Sequence, residues 1–160
     1  MASARERLAE LGLDLPAAVP PLAAYVPAVR TGDLVYTSGQ LPMVDGALAA
    51  TGKVGGGISP DAAKGLARLC ALNGLAAVDA LVGLDSVVRV VKVVGFVASA
   101  PGFTGQPGVV NGASELLGDV FGAAGQHARS AVGVAELPLG APVEVELIVQ
   151  VLSSAGTGSP

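Results

Sequence analysis

The sequence predicts an α+β domain in which two helices pack on one face of a mixed β-sheet. Strand and helix signals follow in the order strands, helix, strand, helix, strands. A length of 160 residues suits one domain with a single core. Hydrophobic residues make up 51% of the chain and aromatic residues only 3%, so this core is predicted to consist of small, closely packed side chains.

The N-terminal part predicts a short helix and a β-hairpin. Residues 3–11 contain helix-forming residues with leucines three apart, and Gly12 ends the pattern. Further along, two strand-like runs, 28–30 and 34–38, flank a tight turn at 31–33. We expect these two runs to pair as adjacent antiparallel strands.

A capped helix and a long apolar strand follow. Ser59, Pro60 and Asp61 supply a hydroxyl cap, a proline that needs no donor and an acid at the positive end of the helix dipole. The helical stripe consists of Ala62, Leu66, Leu69, Cys70, Ala77 and Leu81. The continuous β-branched run 87–97 predicts a central strand with both faces mostly covered.

The C-terminal part predicts a second helix and two strands. Apolar residues at helical spacing occupy residues 110–121, and glycines end this pattern at 122–125. Residues 130–135 and 143–152 are predicted strands, whereas the small, polar residues 153–160 predict a loose tail. Two helices cover only one face of such a sheet. Because only 14% of the residues are charged, we expect the other face to be covered by another subunit in a dimer or closed ring.

Charge and hydropathy exclude several classes of protein. A net charge of −4 and a pI near 4.8 argue against a general nucleic-acid binder, which needs clustered basic residues. The longest apolar stretches are interrupted by Arg89 and Lys92, or by Asn73 and Asp79, so no transmembrane helix is predicted. The N-terminus lacks the apolar core of a secretory signal. We therefore expect a cytoplasmic protein.

Several catalytic sites are excluded by residue counts. The chain has one histidine, His127, and one cysteine, Cys70, so a zinc cluster, a Ser-His-Asp triad or a Cys–His pair would require improbable geometry. Cys70 belongs to the helical stripe and is predicted to be a buried, inert thiol. We expect His127 on the surface or in a loop. The glycine-rich run 53–57 lacks the ending of a phosphate-binding loop and is interpreted as a connector.

Arg129 is the most informative charged residue. It precedes the apolar strand 130–134, where an unpaired guanidinium is costly, so it needs an anionic partner. That partner is either Glu136 or Glu144 in a structural ion pair, or the carboxylate of a ligand. Glu144 and Glu146 are two apart on one strand and therefore share a face. A carboxylate beside a pocket is also able to orient or deprotonate a water molecule.

Three stretches of the chain resemble one known family. They are Ala24-Tyr25-Val26 through Thr37-Ser38-Gly39-Gln40-Leu41-Pro42, then Val110-Asn111, then Ala128-Arg129-Ser130 through Leu137-Pro138 and Glu144-Val145-Glu146. In order and spacing they resemble the RidA/YjgF family of reactive intermediate deaminases, also called endoribonuclease L-PSP-like. The resemblance implies a chorismate-mutase-like fold and a homotrimer with clefts between subunits. We accordingly divide the chain into an N-terminal helix and extension (1–19), a RidA-like domain (20–153) and a flexible tail (154–160).

The resemblance also implies a reaction and its residues. Arg129 matches the arginine that binds the substrate carboxylate, and Glu144 matches the acid that positions the hydrolytic water. The substrate-binding positions are matched by Tyr25, Ser38, Gly39, Asn111 and Ala131. Family members with this arginine hydrolyse 2-imino acids, such as 2-iminobutanoate and 2-iminopropanoate, to 2-keto acids and ammonia. No metal or cofactor is implied.

Departures from the family pattern keep other functions open. Ala131 stands where many members carry cysteine, His127 replaces a usual proline, and the connector 43–57 is longer, which indicates a divergent branch. One alternative is a non-catalytic protein that binds a keto acid or amino acid through the same arginine. Another is a ribonuclease or translation inhibitor, which the acidic composition disfavours.

Overall fold

The computed structural model describes residues 1–154, so the predicted tail lies outside the described residues except for its first residue. The elements are helix α1 (Ala4–Glu10), strands β1 (Ala28–Thr31), β2 (Leu34–Thr37), β3 (Met43–Val44) and β4 (Ala47–Leu48), helix α2 (Pro60–Val82), strand β5 (Val87–Ala98), helix α3 (Gln106–Phe121), and strands β6 (Ala128–Val134) and β7 (Val143–Val151). This order confirms the predicted α+β fold class. Helix α3 begins four residues earlier than predicted, because Pro107 occupies its first turn, where a missing amide donor costs nothing.

Five strands form one mixed sheet in the order β1-β2-β7-β5-β6. Neighbouring strands are antiparallel except for β5 and β6, which are parallel. Strands β3 and β4 form a separate hairpin. On β5, Val93 pairs with Leu147 of β7 on one side and with Arg129 of β6 on the other. These three side chains therefore point to the same face of the sheet.

Side chains cap the N-termini of α1 and α2, and of these caps the one at Ser59 was predicted. The Ser3 hydroxyl accepts from the amide of Glu6, and the Glu6 carboxylate accepts from the amide of Ser3, which together form a capping box for α1. The Ser59 hydroxyl accepts from the amide of Ala62 at 3.1 Å at the start of α2. Gly83 ends α2 with a φ of 81°, a conformation that suits glycine.

The core lies between the sheet and the two long helices, and we call the covered side the helix face. Its sheet side chains include Val90, Val93, Val97, Val145, Leu147 and Val149, which are all buried. Helices α2 and α3 cross at Gly112, where an added Cβ would clash with the carbonyl oxygen of Lys64. Small residues thus bring the two helix backbones into contact over the sheet.

The opposite side of the sheet is the open face. It carries Val29, Tyr36, Lys92, Val94, Phe96, Val132, Glu144, Glu146 and Ile148. Both long helices pack on the other side of the sheet, yet Lys92, Val94 and Phe96 of β5 are still partly buried on the open face. Val29, Tyr36 and Val132 remain exposed on the open face.

Helix α2 alone among the helices of residues 1–154 is long and apolar enough to cross a membrane by length and composition. Half of its most apolar stretch is buried within the protein, where α2 packs on α3 and β7. A core helix has the same hydropathy, so this feature is weak evidence for a membrane span.

The helix crossing generates the first prediction. Gly112→Ala should destabilise the protein by about 3 kcal/mol, because the clash is with a backbone carbonyl that has no rotamer to change. Gly118→Ala is the matched control on α3, since nothing lies within 4 Å of its added Cβ, and it should stabilise by up to about 1 kcal/mol. Urea unfolding of both variants measures the two effects. Equal stability of the two variants would contradict the predicted crossing.

Candidate functional site

Arg129 lies on the edge strand β6, and its side chain reaches across the helix face to α3. One guanidinium nitrogen, Nη1, donates to Asn111 Oδ1 at 2.8 Å and to Ser114 Oγ at 3.3 Å. The other, Nη2, donates to the carbonyl oxygen of Pro107 at 3.4 Å. Asn111 and Ser114 are three apart on α3 and therefore face the same side of that helix. Asn111, a predicted pocket residue, thus accepts a hydrogen bond from Arg129, the predicted carboxylate-binding residue.

All three of these acceptors are neutral. Arg129 takes part in none of the ion pairs of residues 1–154. Glu136, one expected partner, pairs with Lys53 at 2.8 Å. Glu144, the other, lies on the open face. The structural ion-pair hypothesis therefore fails, and the half-buried guanidinium keeps an uncompensated positive charge.

Glu144 lies in a different part of the molecule, at the end of the sheet where β7 begins. A cavity of about 50 Å³ adjoins it, walled by the N-terminal segment before β1 and by the chain after β2. Tyr25 and Gly39, both predicted pocket residues, line this cavity together with Glu144. Most of the remaining wall is apolar: Val19, Pro20, Pro21, Leu22, Leu41 and Met43. The cavity thus combines one carboxyl group with an apolar lining.

The chain after β2 fixes the position of Gly39 against Glu144. Gln40 exchanges two backbone hydrogen bonds with Val145, at 2.8 and 3.0 Å. This bridge brings Gly39 so close that an added Cβ would clash with Glu144 Oε1. The Ser38 hydroxyl donates to the Val26 carbonyl oxygen at 2.6 Å and so connects this turn to the segment that carries Tyr25.

Burial raises the pKa of Glu144, and the nearby negative charge of Glu146 raises it further. Both carboxylates lie on the open face, as their spacing predicts. A carboxylate with a raised pKa is a stronger base than an exposed one, and it becomes more useful as its pKa approaches the working pH.

Within one chain the two halves of the predicted site do not meet. Arg129, Asn111 and Ala131 lie on the helix face or on α3, whereas Glu144 lies on the open face with Gly39 beside it. The sheet itself separates the groups. Across the sheet, the backbones of Arg129 and Glu144 are two strand spacings apart, which is about 10 Å. Along the strand direction they are offset by three residues, which is also about 10 Å. A site that uses both side chains therefore requires two copies of the chain.

Sequence reasoning missed the contacts of Ser114, Pro107 and His127. His127 lies in the loop before β6, as predicted, but its ring is also hydrogen-bonded to Ser114 Oγ and to the Gly125 carbonyl oxygen. The three-residue spacing of Asn111 and Ser114 indicates that both lie on one side of α3, but it does not show where α3 lies relative to β6.

The remaining candidate groups are the Cys70 thiol and any cluster of metal-ligating side chains. Cys70 is buried, as predicted, with its thiol 3.7 Å from the Val143 carbonyl oxygen, and burial raises its pKa well above the ordinary value. Residues 1–154 contain no cluster of three or more His, Cys, Asp or Glu side chains able to hold a metal ion.

Comparisons with known proteins agree with this fold. The family model described as endoribonuclease L-PSP matches residues 16–151. Protein TCP17 of Trypanosoma cruzi is 47% identical over 145 residues, which cover 89% of this chain and 91% of that protein. The crystal structure of a protein of unknown function from Agrobacterium tumefaciens is 48% identical, with a TM-score of 0.86 over 93% of this chain and 92% of that one. The structure of E. coli TdcF with bound serine is 27% identical, with a TM-score of 0.62 over 85% and 94% of the two chains.

The contact between Gly39 and Glu144 generates a second prediction. Gly39→Ala should displace the Glu144 carboxyl group, since its flexible side chain can move away from the new methyl group. Catalysis that depends on this carboxylate should fall about 100-fold, because a shift of about 1 Å suffices for such a loss. A crystal structure and an activity assay of the variant check both effects.

The fold should tolerate this substitution. Gly57→Ala is the matched control in the connector, where nothing lies within 4 Å of the added Cβ, and it should leave activity unchanged. If Glu144 stays in place in the Gly39→Ala structure, the proposed contact is wrong, whereas an unfolded variant would contradict the expected tolerance of the fold.

Proposed function

The chain belongs to the endoribonuclease L-PSP family, which is the RidA/YjgF family, and on this basis we propose that it hydrolyses reactive 2-imino acids to 2-keto acids and ammonia in a cleft between subunits. The proposal rests mainly on one observation. Arg129 is a half-buried cation that has only neutral partners among residues 1–154. Its charge is therefore available to a ligand carboxylate.

The guanidinium suits the acid group of the substrate. Arginine offers two parallel N–H donors that match the two oxygens of a carboxylate. A 2-imino acid held in this way has its electrophilic C=N carbon at a set distance from Arg129. Orientation is the main contribution that such a reactive substrate needs.

Glu144 supplies the base. Its carboxylate takes a proton from a water molecule as the water oxygen bonds to the imine carbon, and it passes this proton to the imine nitrogen to give a carbinolamine. Glu144 then takes the proton of the carbinolamine hydroxyl group and passes it to the same nitrogen, so that the C–N bond breaks and ammonia leaves as the C=O bond of the keto acid forms. The raised pKa of Glu144 supports both proton transfers. The proposed steps use groups of this chain and water, with no metal or cofactor.

The cleft must lie between two copies of the chain. Arg129 and Glu144 point to opposite faces of one sheet, so one subunit supplies the arginine and its neighbour the carboxylate. The open face also needs a cover for its exposed apolar side chains. We propose a closed homo-oligomer, a trimer by analogy with the family, that works in the cytoplasm.

A second candidate function is binding without turnover. The Arg129 group has its partners on α3 and is complete without Glu144, so it is able to hold a keto acid or amino acid by itself. The bound serine in the related TdcF structure makes an amino acid a reasonable ligand to test.

A third prediction tests the deaminase. A threonine dehydratase, which releases 2-iminobutanoate, should form keto acid faster when the protein is added. Arg129→Ala should reduce this acceleration at least about 100-fold, because losing one partner of a buried charged pair costs about 3 kcal/mol or more. Arg7→Ala is the control, since both contacts of the Arg7 side chain are exposed: an ion pair with Glu10 and a hydrogen bond to the Asp119 carbonyl oxygen at 3.3 Å.

Other outcomes favour other functions. Carboxylate binding that is abolished by Arg129→Ala, with no acceleration by the wild-type protein, would favour the binding protein. RNA cleavage that persists in Arg129→Ala and increases with protein concentration would contradict the deaminase proposal and favour a ribonuclease.

A fourth prediction tests the shared cleft. Arg129→Ala and Glu144→Gln proteins should each be inactive alone. After unfolding and refolding together in equal amounts, about one quarter of the clefts should combine an intact arginine with an intact glutamate, one half times one half. Recovery of about 25% of wild-type activity is expected. If the mixture stays inactive although mixed oligomers form, the two residues do not share a cleft.

A further inference from the structure

We propose that His127 is a positioning residue that sets the geometry of Arg129 through the hydroxyl group of Ser114. This inference rests on the proposed carboxylate-binding role of Arg129. His127 Nε2 lies 2.9 Å from Ser114 Oγ, and His127 Nδ1 lies 2.6 Å from the carbonyl oxygen of Gly125. Ser114 Oγ in turn lies 3.3 Å from Arg129 Nη1. The three side chains form one hydrogen-bonded relay.

The direction of each hydrogen bond in the relay follows from the chemistry of its ends. The Gly125 carbonyl oxygen can only accept, so Nδ1 of His127 carries a proton. In the neutral ring Nε2 then has no proton and accepts from the Ser114 hydroxyl. The Ser114 oxygen is left with its lone pairs for Arg129, whose guanidinium can only donate. His127 thus prevents the hydroxyl hydrogen from pointing at the arginine.

The relay determines which edge of the guanidinium is presented to a ligand. Asn111 Oδ1 and Ser114 Oγ both accept from Nη1. Nη2 makes one long hydrogen bond, at 3.4 Å, to Pro107, and Nε has no acceptor within residues 1–154. The edge formed by Nε and Nη2 is therefore the one that offers two parallel donors. A substrate carboxylate binds side-on to this edge.

His127 is well placed for such a role. It lies two residues before Arg129, immediately before β6, so the same strand start carries both side chains. Arg89 Nη2 donates to the carbonyl oxygen of Gln126, the residue before His127, at 3.3 Å and helps to hold this turn. The imidazole touches the site only through Ser114, which makes His127 a positioning residue and not a catalytic one.

A fifth prediction tests the relay by a double-mutant cycle. The variants are His127→Phe, Ser114→Ala and the two combined, measured for the Kd of 2-oxobutanoate by calorimetry and for KM and kcat in the dehydratase assay. Each single variant should raise Kd and KM about tenfold, the effect of one charge-assisted hydrogen bond, with kcat changed less than about twofold. The double variant should bind no more weakly than Ser114→Ala, because both changes interrupt the same relay.

A conservative variant distinguishes positioning from a structural role. In His127→Gln the side-chain oxygen can replace Nε2 as the acceptor for the Ser114 hydroxyl, so Kd should return toward the wild-type value. Thermal unfolding of every variant is the accompanying control. Additive effects in the double variant, no rescue by glutamine, or a rise in Kd that simply follows lost stability would each overturn the proposal.

The test also separates this inference from the proposed function. If the wild-type protein binds 2-oxobutanoate through Arg129 and His127→Phe binds it equally well, only the relay is wrong. If the wild-type protein binds no carboxylate, the proposed function and the relay both fail.

Discussion

The alternation of side chains across β5 and its two neighbours is the constraint on which the rest of the structure depends. Because Val93 pairs with both Arg129 and Leu147, the arginine must face the helices. Phe96 pairs with Glu144, three residues further along β5, so the glutamate must face the other way. One strand register thus separates the two ionisable groups and makes a neighbouring subunit necessary for any site that uses both.

The small side chains of the core allow α3 to lie close enough to hold Arg129. Gly112 lets α3 approach α2, and Gly95 of β5 leaves room for Val110, against which an added Cβ would clash. These two glycines bring α3 down onto the sheet beside β6. Asn111 and Ser114, on either side of Gly112 along the helix, then reach the guanidinium. The same lack of bulk that shapes the core therefore also places the acceptors of the site.

Both halves of the candidate site hold their charges in unfavourable surroundings. Arg129 has neutral acceptors where a buried cation would be better paired with an anion, and Glu144 is ionised less readily because of burial and its neighbour Glu146. Neither arrangement favours the stability of a single chain. Perturbed, incompletely paired groups of this kind are concentrated at functional sites, where a ligand or a second subunit supplies the missing partner.

The sequence by itself determined the order of the two long helices and the strands of the main sheet, the Ser59 cap and the shared face of Glu144 and Glu146, because local periodicity and turn chemistry decide these features. It also indicated, through short motifs, which residues belong to the candidate site. Only the tertiary structure decided the partners of Arg129: it replaced Glu136 and Glu144 with Asn111 and Ser114 and connected His127 to them. Strand order and helix position bring together residues far apart in the chain, and no local pattern encodes those distances.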